Sequence, residues 1–140
     1  MTWIIYALLA ALFAALVAIF GKIGVRGVDS NLAVAIRTLI IVFFAWGIVL
    51  LQGNAGDLFK ISKYSYVFIV LSALATGLSW LFYYKALQLG PASAVAPIDK
   101  LSLALTVVFA IIFLGEKLTL GTGIGAALVT AGVLATIFIK

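Results

Sequence analysis

Asp99 and Lys100 are adjacent ionisable residues set seven or eight positions into an apolar run that starts near Ala92. At about 1.5 Å per helical residue they lie roughly 10 to 12 Å deep. A charge at such depth costs about 2.5 to 3.5 kcal/mol on insertion scales, so it faces a bundle interior, a water-filled cavity or a partner group. Two readings of the pair stand. In one, Asp99 and Lys100 belong to a polar substrate or proton site, although Lys100 can instead reach the headgroups with its long stem. In the other, the helix starts later and the pair lies at the headgroups, or forms a local ion pair without a transport role. Pro97 removes a backbone donor and frees the carbonyl of Ser93, which inside a bundle can hold a substrate or ion. It equally suits the first turn of a helix, where the missing N–H costs nothing.

Arg37 lies about one and a half turns into another apolar run, close enough to its end for the guanidinium to snorkel; beside that favoured reading it is kept as a substrate or ion path candidate. Trp80, Tyr83, Tyr84 and Lys85 form an aromatic and cationic cluster. In one reading they line a substrate path by stacking and cation–π contact. In the other they form the aromatic belt of a membrane interface. Trp80, Tyr83 and Lys85 are kept as path candidates and Tyr84 is assigned to the belt.

The elements that must position these residues follow from composition. Of 140 residues 66% are hydrophobic and 9% charged, against about half and a quarter in a soluble domain. The mean hydropathy is +1.36. A globule of this length cannot hide so much apolar surface, so the excess faces lipid. The runs are too long and continuous for alternating barrel strands. The expected fold class is therefore an all-α integral membrane protein, a bundle of five transmembrane helices. The expected spans are about 3–21, 32–51, 64–86, 92–114 and 120–139, each close to the roughly 20 residues that cross a hydrocarbon core. Together they make one membrane domain over 1–140. The first run has no Lys or Arg before it and is longer than a signal-peptide core, so it reads as a retained helix. Asp29, Ser30 or Asn31 caps the second span, and Gly90-Pro91 ends the third.

Five spans put the termini on opposite sides. One side collects Lys22, Arg26, Lys85 and Lys140, the other Lys60, Lys63 and Lys117; Arg37 and Lys100 lie nearer the first side and make it six against three. This bias favours an outside N-terminus and is small enough to suit insertion in both orientations.

Several chemistries are excluded. With neither Cys nor His, most transition-metal sites and the cysteine and serine–histidine nucleophile arrangements cannot be built. No cofactor is expected. The formal charge of +5 comes from nine Lys and Arg against four Asp and Glu, placed singly between apolar runs as membrane anchors are, so nucleic acid is not an expected partner. No phosphate-binding loop of the Walker type is present. In the last span Gly121, Gly125 and Gly132, with Ala127, Ala131 and Ala135, put small residues along a helical face for close helix packing or dimer contact.

From Trp80 to Pro97 the chain reads WLFYYKALQLGPASAVAP, followed by Phe113-Leu-Gly-Glu-Lys117 and a glycine-rich last helix. In these features it resembles an EamA domain of the drug/metabolite transporter superfamily. The resemblance covers all five spans and is densest from Gly77 to Ala135. It is similar to the small single-repeat five-helix bacterial and archaeal members. Larger relatives carry two repeats in opposite orientation and export amino acids, metabolites or drugs. The resemblance implies half of an inverted-repeat transporter in the cell (plasma) membrane, with a small-molecule substrate and a homodimer, plausibly antiparallel, completing the fold. The small four-helix multidrug exporters use a glutamate in their first helix. No acid occurs from Trp3 to Phe20, so proton coupling would fall to Asp99 or Glu116. Glu116 matches the family's Leu-Gly-Glu position, where capping or orienting the last connection is its expected role. The leading expectation is a secondary transporter, an exporter of small metabolites. The alternative is a non-transporting assembly or anchoring subunit, for which the short loops offer little surface. An intramembrane enzyme ranks last, because Asp99 is the sole aspartate within a span.

Overall fold

The computed structural model describes residues 2–139 and is all-α, with no strand among the described residues. Lys140, counted above among the positive charges, lies outside the described residues. The helices are α1 (Thr2–Gly24), α2 (Ser30–Leu51), α3 (Lys63–Leu89), α4 (Ala92–Asp99), α5 (Leu101–Leu114) and α6 (Leu120–Phe138), with a 3₁₀ helix at Asn54–Lys60 between α2 and α3. Five segments are long and apolar enough to span a bilayer: α1, α2, α3, the Ala92–Leu114 stretch that holds α4 and α5, and α6.

Two ends differ from the sequence expectation. The first helix runs on to Gly24 instead of stopping at Gly21-Lys22. Lys22 fits inside the last turn because its ammonium donates to the carbonyl of Leu87, and a cation is favourable at a helix C-terminus. Chain reversal comes later, at Gly27, whose φ of 73° is left-handed. The third helix runs past the span bound of 86 to Leu89, where Gly90-Pro91 ends it as expected.

Contacts cluster into two units, 21–88 and a second made of 1–20 with 89–140. In the first, Asp29 is the cap of α2, its Oδ1 accepting from the backbone N–H groups of Asn31 and Leu32 at 2.9 and 3.0 Å. Gly53 turns the chain with φ 73°, and Asp57 pairs with Lys60 at 2.7 Å along the 3₁₀ helix. Gly21, Val25, Ser30, Val34, Tyr84 and Leu87 are its buried residues. Ser30 and Val34 are four apart on α2, and Tyr84 and Leu87 three apart on α3, so each pair shares a face. Gly21 lies against the second pair: a Cβ there would stand 3.2 Å from Leu87 Cδ1 and 3.2 Å from Tyr84 Oη. The end of α3 is tied to the α1–α2 connection by Gln88 Nε2, which donates to the carbonyl of Val28 at 2.9 Å.

In the second unit α6 packs with both α4 and α5. Gly115 closes α5 with φ 66°, and the backbone N–H of Glu116 reaches the carbonyl of Ala110 at 3.2 Å, the wrap-around that satisfies late carbonyls. Thr119 and Thr122 form a reciprocal capping box at the start of α6. Capping at this connection is thus carried by Gly115, by the Glu116 backbone and by the two threonines. The small residues of α6 do not share one face. At 100° per residue Gly121, Gly125 and Gly132 fall together, while Ala127 and Ala131 turn well away from them. Ala127 and Ala131 line a shallow groove beside Ala104, Val107 and Ile111 of α5. Nothing lies within 4 Å of a Cβ built on Gly121, Gly125 or Gly132.

Candidate functional site

Polar side chains inside a span need an acceptor or donor within protein. Most threonines here find one in their own helix: Thr38, Thr76, Thr106, Thr130 and Thr136 each donate to the carbonyl four residues back, at 2.8 or 2.9 Å. Among the described residues, the buried side-chain polar atoms without a hydrogen-bond partner are Ser30 Oγ and Arg37 Nη1. Both belong to α2, seven residues apart, and therefore lie on one face about two turns from each other.

Arg37 is held by α3. Its Cζ stands 4.1 Å from the centroid of the Trp80 ring and 5.2 Å from that of Tyr84. Trp80 and Tyr84 are one helical turn apart, so both rings project from the same side of α3. For Arg37 the sequence favoured a snorkelling anchor over a place on a substrate path, and for Tyr84 it favoured an interfacial belt. Tyr84 is instead buried, 6% exposed, because Gly21 has no side chain to keep its ring away. Tyr83 is half-buried, its ring edge-on to Tyr84 at 6.2 Å. Lys85 is exposed and donates to Gln88 Oε1 at 3.1 Å.

Stacking on two aromatic faces stabilises the guanidinium by about 0.5 to 2 kcal/mol, more as water is excluded. It does nothing for the N–H groups, which lie in the guanidinium plane. A buried donor left without an acceptor costs about 1 to 3 kcal/mol. The arrangement therefore holds a cation over two rings with one donor nitrogen, Nη1, unpaired, a group suited to a carboxylate or phosphate oxygen.

The other candidates sit in the second unit. Pro97 is the sixth residue of α4, inside the helix and not in its first turn. The span breaks three residues later at Lys100, where the hydrogen bonds tighten to a three-residue spacing: Lys100 N–H to Pro97 O and Leu103 N–H to Lys100 O, both 3.0 Å. Lys100 Nζ meets Asp99 Oδ2 at 3.3 Å, with both side chains partly exposed. Pro97 has no N–H to offer the carbonyl of Ser93, so its effect falls on the turn before it, and the break at Lys100 lies on its other side. Among the described residues no group of three or more acidic side chains is placed to hold a metal ion.

Sequence reasoning took the polar residues one helix at a time. It did not pair Arg37 with Trp80 and Tyr84, and it considered Ser30 only as a cap. The signal that was present is the depth match: Arg37 is eight residues into α2 and Trp80 is nine residues from the end of α3, so antiparallel neighbours bring them level.

These features define a polytopic all-α membrane protein with a cation stacked on aromatic rings inside a span. The sequence matches the model of the EamA-like transporter family over residues 1–138, and the chain belongs to that family, within the drug/metabolite transporter superfamily. The family is one of membrane transporters and not of enzymes. The chain is 45% identical over 133 residues, 95% of its length and 94% of the relative's, to a Sinorhizobium protein named an uncharacterized transporter in the cobO 3' region. It is 33% identical over 100 residues, 65% of its length and 73% of the relative's, to an uncharacterized protein of Methanocaldococcus jannaschii. No solved structure matches the chain.

Proposed function

We propose that the chain is a single membrane domain forming half of a secondary transporter. A second copy in opposite orientation completes an inverted-repeat pathway, through which small metabolites, amino acids or drugs are exported across the cell membrane. The observation that carries this reading is how little the spans bury: none of the five has more than 11% of its apolar window buried. Lipid covers much of such a surface, but a polar solute needs a path lined by protein, and a second copy supplies the missing wall. The Sinorhizobium relative supports the reading too, since a protein named a transporter matches this chain over nearly the full length of both.

Energy for export comes from an ion gradient, as the sequence has no nucleotide-binding loop. Asp99, at the break between α4 and α5, is the proposed coupling group, and that break the element that rocks. The test is flux in proteoliposomes of purified protein, with an imposed proton gradient and a panel of amino acids and amphipathic dyes. Gradient-dependent flux that is abolished in Asp99→Asn is the expected result. Flux that is unchanged in Asp99→Asn removes Asp99 as the coupling group. No flux for any solute, together with stable co-purification of one different protein, replaces the transporter with an assembly subunit.

A further inference from the structure

We propose that the N–H edge of Arg37 is the binding subsite for an anionic group, a carboxylate or phosphate, on the transported molecule. The proposal deepens the transporter reading and rests on it for the identity of the ligand as cargo. Four observations carry it. The guanidinium lies over the rings of Trp80 and Tyr84, with Cζ 4.1 and 5.2 Å from the ring centroids, contacts that give its N–H groups no oxygen to donate to. Arg37 Nη1 is buried and has no hydrogen-bond partner. The unit that contains it, 21–88, holds six Lys and Arg and two carboxylates. Both carboxylates are engaged elsewhere, Asp29 in capping α2 and Asp57 with Lys60. Ser30 Oγ is likewise buried and unpartnered, two turns back on the same helix face, and gives a longer anion a second polar contact.

A carboxylate or phosphate accepts from adjacent guanidinium N–H groups in a fixed fork geometry that an ammonium does not offer. A cationic ligand would be repelled. The anion has two sources, a soluble solute or the phosphate of a lipid headgroup, and the experiment separates them.

The probe is Trp80 fluorescence in purified protein carrying Trp3→Phe and Trp46→Phe, titrated with benzoate, inorganic phosphate and, as a cationic control, benzylamine. A parallel series varies phosphatidylglycerol in phosphatidylcholine vesicles. The expected result is saturable quenching by benzoate or phosphate, absent with benzylamine. Affinity should be roughly 10- to 100-fold weaker in Arg37→Gln, with only partial recovery in Arg37→Lys. Should Arg37→Gln fail to fold, Arg37→Lys keeps the charge and carries the comparison, losing the fork. A response to phosphatidylglycerol alone, dependent on Arg37, supports the anion site and assigns it to lipid. Responses that are equal in all three proteins, or absent for every anion, overturn the proposal. Flux that persists in Arg37→Gln while no anion binds sinks this subsite and leaves the transporter reading intact. Arg37-dependent binding without flux of any solute does the reverse.

Discussion

Arg37 is eight residues into α2 and is the one charged residue of that helix. What keeps it there is the pair of rings on α3. Replacing Trp80 with Phe keeps a face and should cost under about 1 kcal/mol, whereas Trp80→Ala removes it and should cost about 1 to 2 kcal/mol. Denaturant unfolding in detergent micelles measures both, and an equal loss in the two variants would show that packing volume and not stacking holds the guanidinium. Gly21 is the companion residue, as it lets Tyr84 and Leu87 approach α1. Alanine there gains about 0.5 to 1 kcal/mol of helix propensity and meets atoms at 3.2 to 3.3 Å, so Gly21→Ala should fall close to neutral. Gly21→Leu adds atoms that neither neighbour can clear, and should destabilise by about 1 to 3 kcal/mol. Thermal melting of the two variants side by side checks the difference.

Helix ends in this chain are built by side chains more than by composition. Asp29 supplies two hydrogen bonds to the start of α2, so Asp29→Ala should cost about 1 kcal/mol, while Asp29→Asn retains most of the cap. Thr119→Ala should cost about as much at α6, since it removes the capping box; hydrogen exchange in the first turn of α6 would report the loss directly. The spans themselves were legible from the sequence, because runs of about twenty apolar residues have one outcome in a bilayer. The end of α1 was not. Lys22 reads as a membrane edge when the helix is considered alone, yet its ammonium reaches the carbonyl of Leu87, sixty-five residues away. The same limit left Arg37 and Trp80 as separate candidates, because the rings that meet the guanidinium lie on a different helix. Pro97 was legible as a disturbance, but whether it opened a helix or lay inside one depended on where α4 begins. With α4 starting at Ala92, the proline is interior, and Pro97→Ala should leave the fold intact while slowing flux if the break is the moving part. Circular dichroism with proteoliposome flux tests both halves of that statement.

Taken whole, the described residues bury very few of their side chains. Gly121, Gly125 and Gly132 form an open strip on α6 with nothing within 4 Å, a surface that a second backbone can approach closely. Sequence composition made the membrane and the number of spans plain, but nothing in it speaks to how many copies make a transporter, because that depends on surfaces meeting across chains. The antiparallel homodimer is the claim on which the proposed function turns. Its most direct test is single-cysteine labelling in sealed cells, with Asn54→Cys in one protein and a cysteine appended to the C-terminus in another. The natural sequence contributes no background thiol. The account predicts that each cysteine is labelled from both faces of the membrane, in separate molecules of the same population. Labelling of each position from one face alone would contradict it, and would require this half to pair in parallel or with a differently oriented protein.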